Sequence, residues 1–212
     1  AMMGFDLDLA KALASAMRVK LEIKTMPFGE LLTALEKDEI DMIISGMSIT
    51  PARTEMVSFV GPYMMSGKSI LTKDSTLAGI KESQDFNRKD LKLAALSNST
   101  SASFIKMVAP EAKLIELKDY DQGVAMVKDG SADAMVADMP ICLLSVMRYP
   151  DAGLVTLEEP LTVEPIGIAI GKEDAQVLNQ EQNYLDANGK MGILTHSRKK
   201  WSEDSSWVAA LP

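Results

Sequence analysis

The sequence predicts an α/β fold in which short apolar strands alternate with amphipathic helices. Apolar runs of strand length, such as "DMIISG", follow stretches with helical spacing, such as "FGELLTALEKD". This alternation is typical of βαβ units, whose parallel strands are covered by helices on both faces. The segments "LLTALEKDEIDMIIS" and "GVAMVKDGSADAMVA" share one plan, a helix, a polar turn and a buried strand. This internal echo indicates two lobes of related build.

The first elements follow from periodicity. Residues 5–18 carry apolar side chains at helical spacing, among them Leu9, Leu13 and Met17, and are predicted as a helix. "KLEIKTM", residues 20–26, alternates and is predicted as a strand. The helix "FGELLTALEKD" and the strand at 41–45 complete this βαβ unit. A short helix is expected after Pro51.

The alternation restarts after residue 66. "GKSILTKDS" is predicted as a strand that ends in a polar turn. The further strands are predicted at 91–96, 112–117, 132–138 and 163–172, and the helices at 99–109, 121–130 and 140–148. Two more helices are expected to finish the chain.

Composition excludes several classes of function. The chain has 212 residues, 47% of them hydrophobic, and a net charge of −8 with no basic block, which disfavours nucleic acid as a partner. No apolar run approaches the roughly 20 residues that span a bilayer. The chain opens "AMMGFDLDLA", with acids where a secretory signal would be basic.

The single cysteine and the single histidine offer little chemistry. Cys142 lies in the apolar stretch "PICLLSV" and is predicted to be a buried thiol, while His196 lies near the C-terminus. Residues so far apart in sequence do not suggest a metal site or a nucleophile–histidine pair. We therefore expect no metal and no cofactor.

Polar clusters follow three of the predicted strands. They are "SGMSITPAR", "LSNSTSAS" and Asp138 at the end of "ADAMVAD". Open parallel sheets bind ligands at the carboxyl ends of their strands. Arg53 offers a planar fork that suits a carboxylate, and Ser99 and Thr100 begin a helix, where anions bind. With the opposite charge of Asp138, this set suits a zwitterion, of which an α-amino acid is the simplest.

Each of these residues also has a purely structural interpretation. Arg53 can be a solvated residue of the short helix after Pro51. Ser99 and Thr100 can be helix N-caps only, and Asp138 can cap the helix that follows it. The functional interpretation rests on their shared position after strands.

The chain resembles the extracytoplasmic solute-binding proteins for polar amino acids, the receptors of ATP-driven uptake systems. It is also similar to the ligand-binding cores of ionotropic glutamate receptors. The matching stretches cover most of the chain in the family's order: "GFDLDLAKALA", "LLTALEKDEIDMIISGMSITPARTEMVSFVGPY", "ALSNSTSA", "MVKDGSADAMVADMP", "PIGIAIGKED" and "WSEDSSWVAALP".

The resemblance implies the two-lobed, type II periplasmic-binding-protein-like α/β fold, which closes on ligand in the cleft between its lobes. The first lobe would comprise residues 1–70 and 167–212, and the second 71–166. The crossover strands would lie near 67–73 and 163–171.

The resemblance also assigns roles in the first lobe. Arg53 would pair with the ligand α-carboxylate. Ser48 would offer its backbone N–H and hydroxyl to the ligand, and the carbonyl of Gly46 would help to hold the ammonium. Phe28 would pack on the ligand side chain.

In the second lobe, the resemblance assigns the remaining contacts. Ser99 and Thr100 would donate to the same carboxylate, and Asp138 would bind the α-ammonium. Leu96 and Ala137, near the expected side-chain pocket, carry no charge, which favours a polar or uncharged ligand side chain over a strongly charged one.

Two departures from the family stand out. Asn98 replaces a usual glycine, although asparagine tolerates the left-handed backbone better than most residues. The family's first strand is also missing before "GFDLDLA", which leaves a first lobe without the strand expected between 20–26 and 41–45. Open edges recruit other chains. We therefore expect a homodimer in which a second copy fills the gap, direct pairing of the two strands, or partial disorder. The homodimer is favoured, because two identical chains with the same open edges make a symmetric, self-complementary contact.

The favoured function is extracytoplasmic binding of an amino acid for an ABC-type membrane permease, without catalysis. The alternative is an enzyme on the same fold, such as a cyclohexadienyl or arogenate dehydratase. A ligand-binding sensor domain of a larger receptor is a third possibility.

Overall fold

The computed structural model describes residues 4–172, 179, 182–187 and 200–201. The chain divides into two compact units. The first unit comprises Ala1–Met26, Glu30–Met65 and Glu164–Pro212, and the second unit comprises Pro27–Gly29 and Ser66–Val163. Both units mix helices with a sheet, as the α/β prediction requires. The lobe boundaries implied by the resemblance stay a prediction.

The elements are, in chain order, α1 (Phe5–Met17), a 3₁₀ turn (Phe28–Glu30), α2 (Leu31–Glu36), β1 (Met42–Ile43), α3 (Pro51–Met56), β2 (Ser58–Ser66), β3 (Lys68–Thr72), α4 (Ser75–Ala78), a 3₁₀ turn (Ser83–Phe86), β4 (Lys92–Leu96), α5 (Thr100–Val108), β5 (Lys113–Leu117), α6 (Tyr120–Asp129), β6 (Ala134–Asp138), α7 (Met139–Arg148), a 3₁₀ turn (Pro150–Ala152), β7 (Val155–Thr156) and β8 (Glu164–Ile170). The two helices predicted to finish the chain fall mostly outside the described residues.

The first unit has a three-stranded sheet in the order β1-β8-β2. β1 runs antiparallel to β8, with Met42 opposite Ile170. The predicted first helix is confirmed as α1, whose Leu9 and Leu13 pack against apolar residues of β2 and β8. This contact fixes one face of the small sheet.

The strand predicted at 20–26 is wrong. Among residues 4–172, this segment takes part in no ladder, and Ile23 in it is 42% exposed. Alternation supplies the right side-chain pattern, but a strand also needs a neighbour to receive its backbone hydrogen bonds. The strand predicted at 41–45 is reduced to β1 and is antiparallel rather than parallel, and direct pairing of the two segments does not occur. Pairing with a second copy of the chain stays a prediction.

β2, the longest of the described strands, was not predicted because Pro62 interrupts its pattern. Proline cannot donate a ladder hydrogen bond and is tolerated mainly at sheet edges. β2 is the last strand in the described order of its sheet, and Pro62 is exposed, whereas its neighbours Val60 and Tyr63 are buried.

The second unit has a five-stranded sheet in the order β5-β4-β6-β3-β7. β4 runs parallel to β5 and to β6, as predicted, whereas β3 runs antiparallel to both β6 and β7. The predicted strands and helices between 91 and 148 are confirmed. Helices cover this sheet on both faces and form two apolar clusters with it.

The topology of this sheet brings three strand ends to one edge. β4 ends at Leu96 and β6 ends at Asp138, and because these strands are parallel their carboxyl ends lie side by side. β3 runs the other way, so its first residue, Lys68, lies directly opposite Asp138. The first residues of β3 therefore lie at the same edge of the sheet as the last residues of β4 and β6.

Gly123 in α6 offers a test of this packing. A methyl group there would lie 2.6 Å from Leu117 Cδ1 and closer still to the buried Met135 sulfur. We expect Gly123→Ala to lower the free energy of unfolding by up to about 2 kcal/mol, because overpacking costs about 1–3 kcal/mol and the gain in helix propensity offsets only about 1 kcal/mol. Urea denaturation would measure it.

Gly79→Ala is the matched control, since a methyl group at this exposed position makes only ordinary contacts of 3.5 Å. Equal stabilities for the two variants would contradict the close packing of α6 on the sheet.

Candidate functional site

The polar loop after β1 is fixed on β8 by backbone hydrogen bonds. The Ile49 N–H donates to the Pro165 carbonyl at 2.8 Å, and the Gly167 N–H donates to the Met47 carbonyl at 3.0 Å. These bonds place Ser48 opposite Ile166. The loop that precedes Arg53 is therefore an extension of the sheet and has a defined backbone.

Arg53 is held inside the first unit by the same loop. Pro51 opens α3, and the Thr50 hydroxyl accepts from the Arg53 backbone N–H at 3.3 Å, as an N-cap does. The Arg53 side chain turns back, and its Nη1 donates to the Ser48 carbonyl at 2.8 Å. Arg53 is only 7% exposed, so the alternative of a solvated arginine is wrong.

The Ser48 hydroxyl has a partner that sequence reasoning missed. Its Oγ donates to Glu164 Oε2 at 2.8 Å, from the loop to the first residue of β8. A hydroxyl has one proton, so in this arrangement the Ser48 oxygen serves other groups only as an acceptor. The predicted donation from this hydroxyl to a ligand carboxylate would require the bond to Glu164 to break.

Asp6 ties helix α1 to the same loop. Its Oδ1 accepts from the Tyr63 hydroxyl at 2.9 Å, and the Gly46 backbone N–H also donates to the carboxylate. Gly46 has a φ of 59°, in the left-handed region that favours glycine. Burial raises the pKa of Asp6, and the two hydrogen bonds offset only part of this effect.

Sequence reasoning also missed Asp6, although a signal was present. Asp6 precedes Leu9 by three residues and Leu13 by seven, so it lies on the buried stripe of α1. An acid on an apolar stripe indicates a buried hydrogen-bonding partner. The partner here is the turn that carries Gly46.

In the second unit, the turn after β4 is organised by Asn98 and Ser99. Asn98 has a φ of 56°, which confirms that asparagine takes the left-handed conformation here. The Ser99 Oγ accepts from the Ala102 N–H at 3.1 Å and donates to the Leu96 carbonyl at 2.6 Å. The Ser99 N–H also donates to Leu96, at 3.3 Å.

Ser99 is therefore a helix cap whose donors are used within the turn. Thr100 is the first residue of α5 and is half-buried. Of the two predicted carboxylate donors, Thr100 has the position at the start of the helix that suits an anion.

Phe28 lies with the second unit. It packs against the apolar cluster that contains Leu96 and Ala137. The Asn98 Nδ2 donates to the Gly29 carbonyl at 3.4 Å and so links the same short segment to the turn before α5. The predicted aromatic residue thus packs against the cluster that holds the uncharged positions associated in the sequence with a side-chain pocket.

Asp138 forms an ion pair with the buried Lys68, which sequence reasoning missed. The Lys68 Nζ donates to Asp138 Oδ1 at 2.6 Å, and the two side chains are 2% and 16% exposed. Asp138 occupies the N-cap position of α7, but its side chain makes no capping hydrogen bond. The alternative in which Asp138 only caps this helix is therefore wrong.

The Asp138 carboxylate also affects two neighbouring side chains. Burial is the larger cause of the raised pKa values of Tyr120 and Cys142, and the negative charge of Asp138 raises both further. The pKa of Cys142 reaches about 12. This thiol is protonated at neutral pH and fully buried, which agrees with the prediction of an inert cysteine.

Two other kinds of feature are absent from the described residues. No helix among them combines the length and the apolar character needed to cross a membrane. Within the same residues, no group of three or more histidine, cysteine, aspartate or glutamate side chains is placed to hold a metal ion.

Comparison with known proteins adds a family match. Residues 1–204 match the model of the bacterial extracellular solute-binding proteins, family 3. The glutamine-binding protein of Geobacillus stearothermophilus is 35% identical over 174 residues, which are 80% of this chain and 64% of that protein. The aligned region thus spans less than two thirds of that relative's length.

Two solved structures have the same fold. An ancestral amino acid-binding protein, described as a precursor of cyclohexadienyl dehydratase, is 36% identical with a TM-score of 0.85, over 94% of this chain and 86% of that one. An ancestral arginine-binding protein bound to glutamine is 34% identical with a TM-score of 0.88, over 96% of this chain and 89% of that one. These similarities confirm the type II periplasmic-binding-protein-like fold class.

The buried Asp6 carboxyl group predicts a pH dependence of stability. Its pKa is raised in the folded protein, so the folded state loses stability relative to the unfolded state as the pH rises from below about 3.9 through the folded value. Asp6→Asn keeps an acceptor for Tyr63 and has no such titration. We expect the stability of the variant relative to wild type to increase between pH 3.5 and pH 7 in urea unfolding.

Asp151→Asn, at an exposed carboxyl group, is the control. A stability difference for Asp6→Asn that is constant with pH would contradict the burial of this group.

Proposed function

We propose that this chain, which belongs to the bacterial extracellular solute-binding proteins, family 3, binds a free α-amino acid outside the cytoplasm. The bound amino acid would then pass to the membrane permease of an ABC-type uptake system. No bond is made or broken in this function. The relatives reported above are named as binding proteins, which supports binding over catalysis.

The buried guanidinium of Arg53 is the main support for this proposal. An arginine that is 7% exposed has lost most of its water, and its Nη1 is held by the Ser48 carbonyl. Such a group is oriented before a ligand arrives, so little conformational entropy is lost on binding. A carboxylate matches the charge and the planar geometry of the guanidinium.

Other contacts to the amino acid follow the family's assignments and are part of the proposal. The backbone N–H of Ser48 and the start of α5 at Thr100 would donate to the carboxylate. Asp138 and the carbonyl of Gly46 would hold the ammonium, and Phe28 would pack on the side chain. Ser99 would contribute by shaping the turn, since its own donors are used there.

We propose a ligand whose side chain is polar or uncharged. Leu96 and Ala137 lie in the apolar cluster against which Phe28 packs, and neither carries a charge. The glutamine-binding relative supports a polar side chain. The ancestral arginine-binding protein was solved with glutamine bound but is named for a cationic ligand, so it does not separate the two ligand classes.

The deciding experiment is a ligand screen. Thermal shift with the twenty amino acids, followed by isothermal titration calorimetry, is expected to find at least one amino acid that binds with a Kd in the micromolar range or below. Turnover of prephenate or arogenate would favour the dehydratase alternative, and an absence of amino-acid binding would overturn the proposal.

Arg53→Ala is expected to weaken amino-acid binding at least tenfold. The variant loses charge-assisted hydrogen bonds that contribute about 1.5–3 kcal/mol each, whereas cooperative unfolding should persist. Calorimetry measures the affinity, and Arg88→Ala, at an exposed arginine that pairs with Asp90, is the matched control. Unchanged affinity in Arg53→Ala would show that the carboxylate binds elsewhere.

Asp138→Asn is expected to weaken the binding of amino acids but not that of their deaminated analogues. The variant removes the charge that attracts the α-ammonium, so amino-acid affinity should fall at least about tenfold while keto-acid affinity changes little. Asp121→Asn, at an exposed carboxylate, is the control. Equal losses for both ligand classes would mean that Asp138 serves only to compensate Lys68.

A further inference from the structure

We infer that Lys68 is a specificity-determining residue, whose buried ammonium beside Asp138 disfavours amino acids with a cationic side chain relative to neutral ones of the same shape. This inference rests on the proposed function, in which Asp138 holds the α-ammonium. It goes further because it names the residue that would disfavour a positive charge on the ligand's side chain.

Lys68 is fixed where it is. It opens β3 directly opposite Asp138, the last residue of β6. Its backbone N–H donates to the Thr162 hydroxyl at 2.9 Å, and its carbonyl accepts from the Leu161 N–H at 2.7 Å. With the backbone held on both sides, the side chain reaches Asp138 over a short and defined path.

The neighbouring residues leave this part of the chain little freedom to move. The Gly67 carbonyl accepts from the Met139 N–H at 2.9 Å, immediately after Asp138. A side chain at Gly67 would collide with the Thr162 carbonyl. The ion pair therefore joins two backbone segments that are themselves hydrogen-bonded, and it is not a contact between mobile surface groups.

Burial makes the positive charge of Lys68 effective. The side chain is 2% exposed, so it is surrounded by protein and water screens its charge only weakly. Its interactions with other charges are therefore stronger than at a surface. The Asp138 carboxylate consequently already pairs with one cation. A ligand α-ammonium would share this carboxylate with Lys68.

A positive charge on the ligand's side chain would be a further cation near this ion pair. It would be repelled by Lys68 and would compete with the α-ammonium for the carboxylate that Lys68 already occupies. The sign of this repulsion does not depend on where the ligand's side chain lies, because like charges repel at every separation. The distance sets only its magnitude.

A purely structural role makes a different prediction. If Lys68 only holds β3 against β6, its replacement would weaken the binding of all ligands in the same proportion. A specificity-determining role changes the ratio of affinities between ligands that differ only in charge. L-Arginine and L-citrulline are such a pair, because citrulline replaces the guanidinium by a neutral urea group of nearly the same shape.

The experiment compares these two ligands by calorimetry on wild type, Lys68→Gln, which keeps a neutral donor for Asp138, and Lys68→Arg, which keeps the charge. We expect the affinity ratio of arginine to citrulline to rise at least tenfold in Lys68→Gln, about 1.4 kcal/mol. It should stay within about twofold of wild type in Lys68→Arg. Lys73→Gln, at an exposed lysine just beyond β3, is the control and should leave the ratio unchanged.

An unchanged or lower ratio in Lys68→Gln would overturn the inference and leave the proposed function intact. Removal of one partner of a buried ion pair is often strongly destabilising, so the wild-type ratio gives a second test that needs no variant. Citrulline should bind wild type more tightly than arginine, and tighter binding of arginine would overturn the inference. Binding of neither these nor any other amino acid would overturn the proposed function, and the inference with it.

Discussion

A positive charge can leave water inside a protein only where other groups replace the water, because the desolvation of an ion costs several kcal/mol or more. Among the described residues, this constraint acts on two buried cations, Arg53 and Lys68. Arg53 donates to a loop carbonyl and Lys68 to a carboxylate. Each compensating group comes from a segment whose backbone is fixed by the sheet of its own unit. The sheets thus determine where charge can be held.

The second unit was largely predictable because its sequence pattern and its hydrogen-bonding partners agree. Each predicted strand between 91 and 138 has a neighbouring strand beside it, and the helices between them cover both faces. The first unit was less predictable because its strands depend on distant neighbours. β1 pairs with β8, more than 120 residues later, and 20–26 has the alternation of a strand but takes part in no ladder among residues 4–172. Periodicity reports the faces of a strand and does not report its neighbours.

The same difference explains which parts of the candidate site were found. Arg53 and Asp138 follow strands, and position after a strand can be recognised in a sequence. Glu164 and Lys68 were missed because they reach Ser48 and Asp138 over separations of 116 and 70 residues, which only the sheet register brings together. A weak signal existed for Lys68, since it opens the predicted strand in "GKSILTKDS", and the structure shows that all five residues of β3 are buried. A lysine in that position requires a compensating acid.

The Lys68–Asp138 pair is difficult to explain by stability alone. Replacement of a buried ion pair by apolar side chains of similar volume is often neutral or stabilising, and the neighbouring positions Ile70 and Val136 show that β3 and β6 pair well with apolar residues. The pair lies at the edge of the sheet where β4 and β6 end, the edge at which such sheets bind ligands. A charge that costs folding free energy at a binding edge is better explained by the ligand than by the fold. For that reason, we assign Lys68 to the recognition of charge and not to the stability of the sheet.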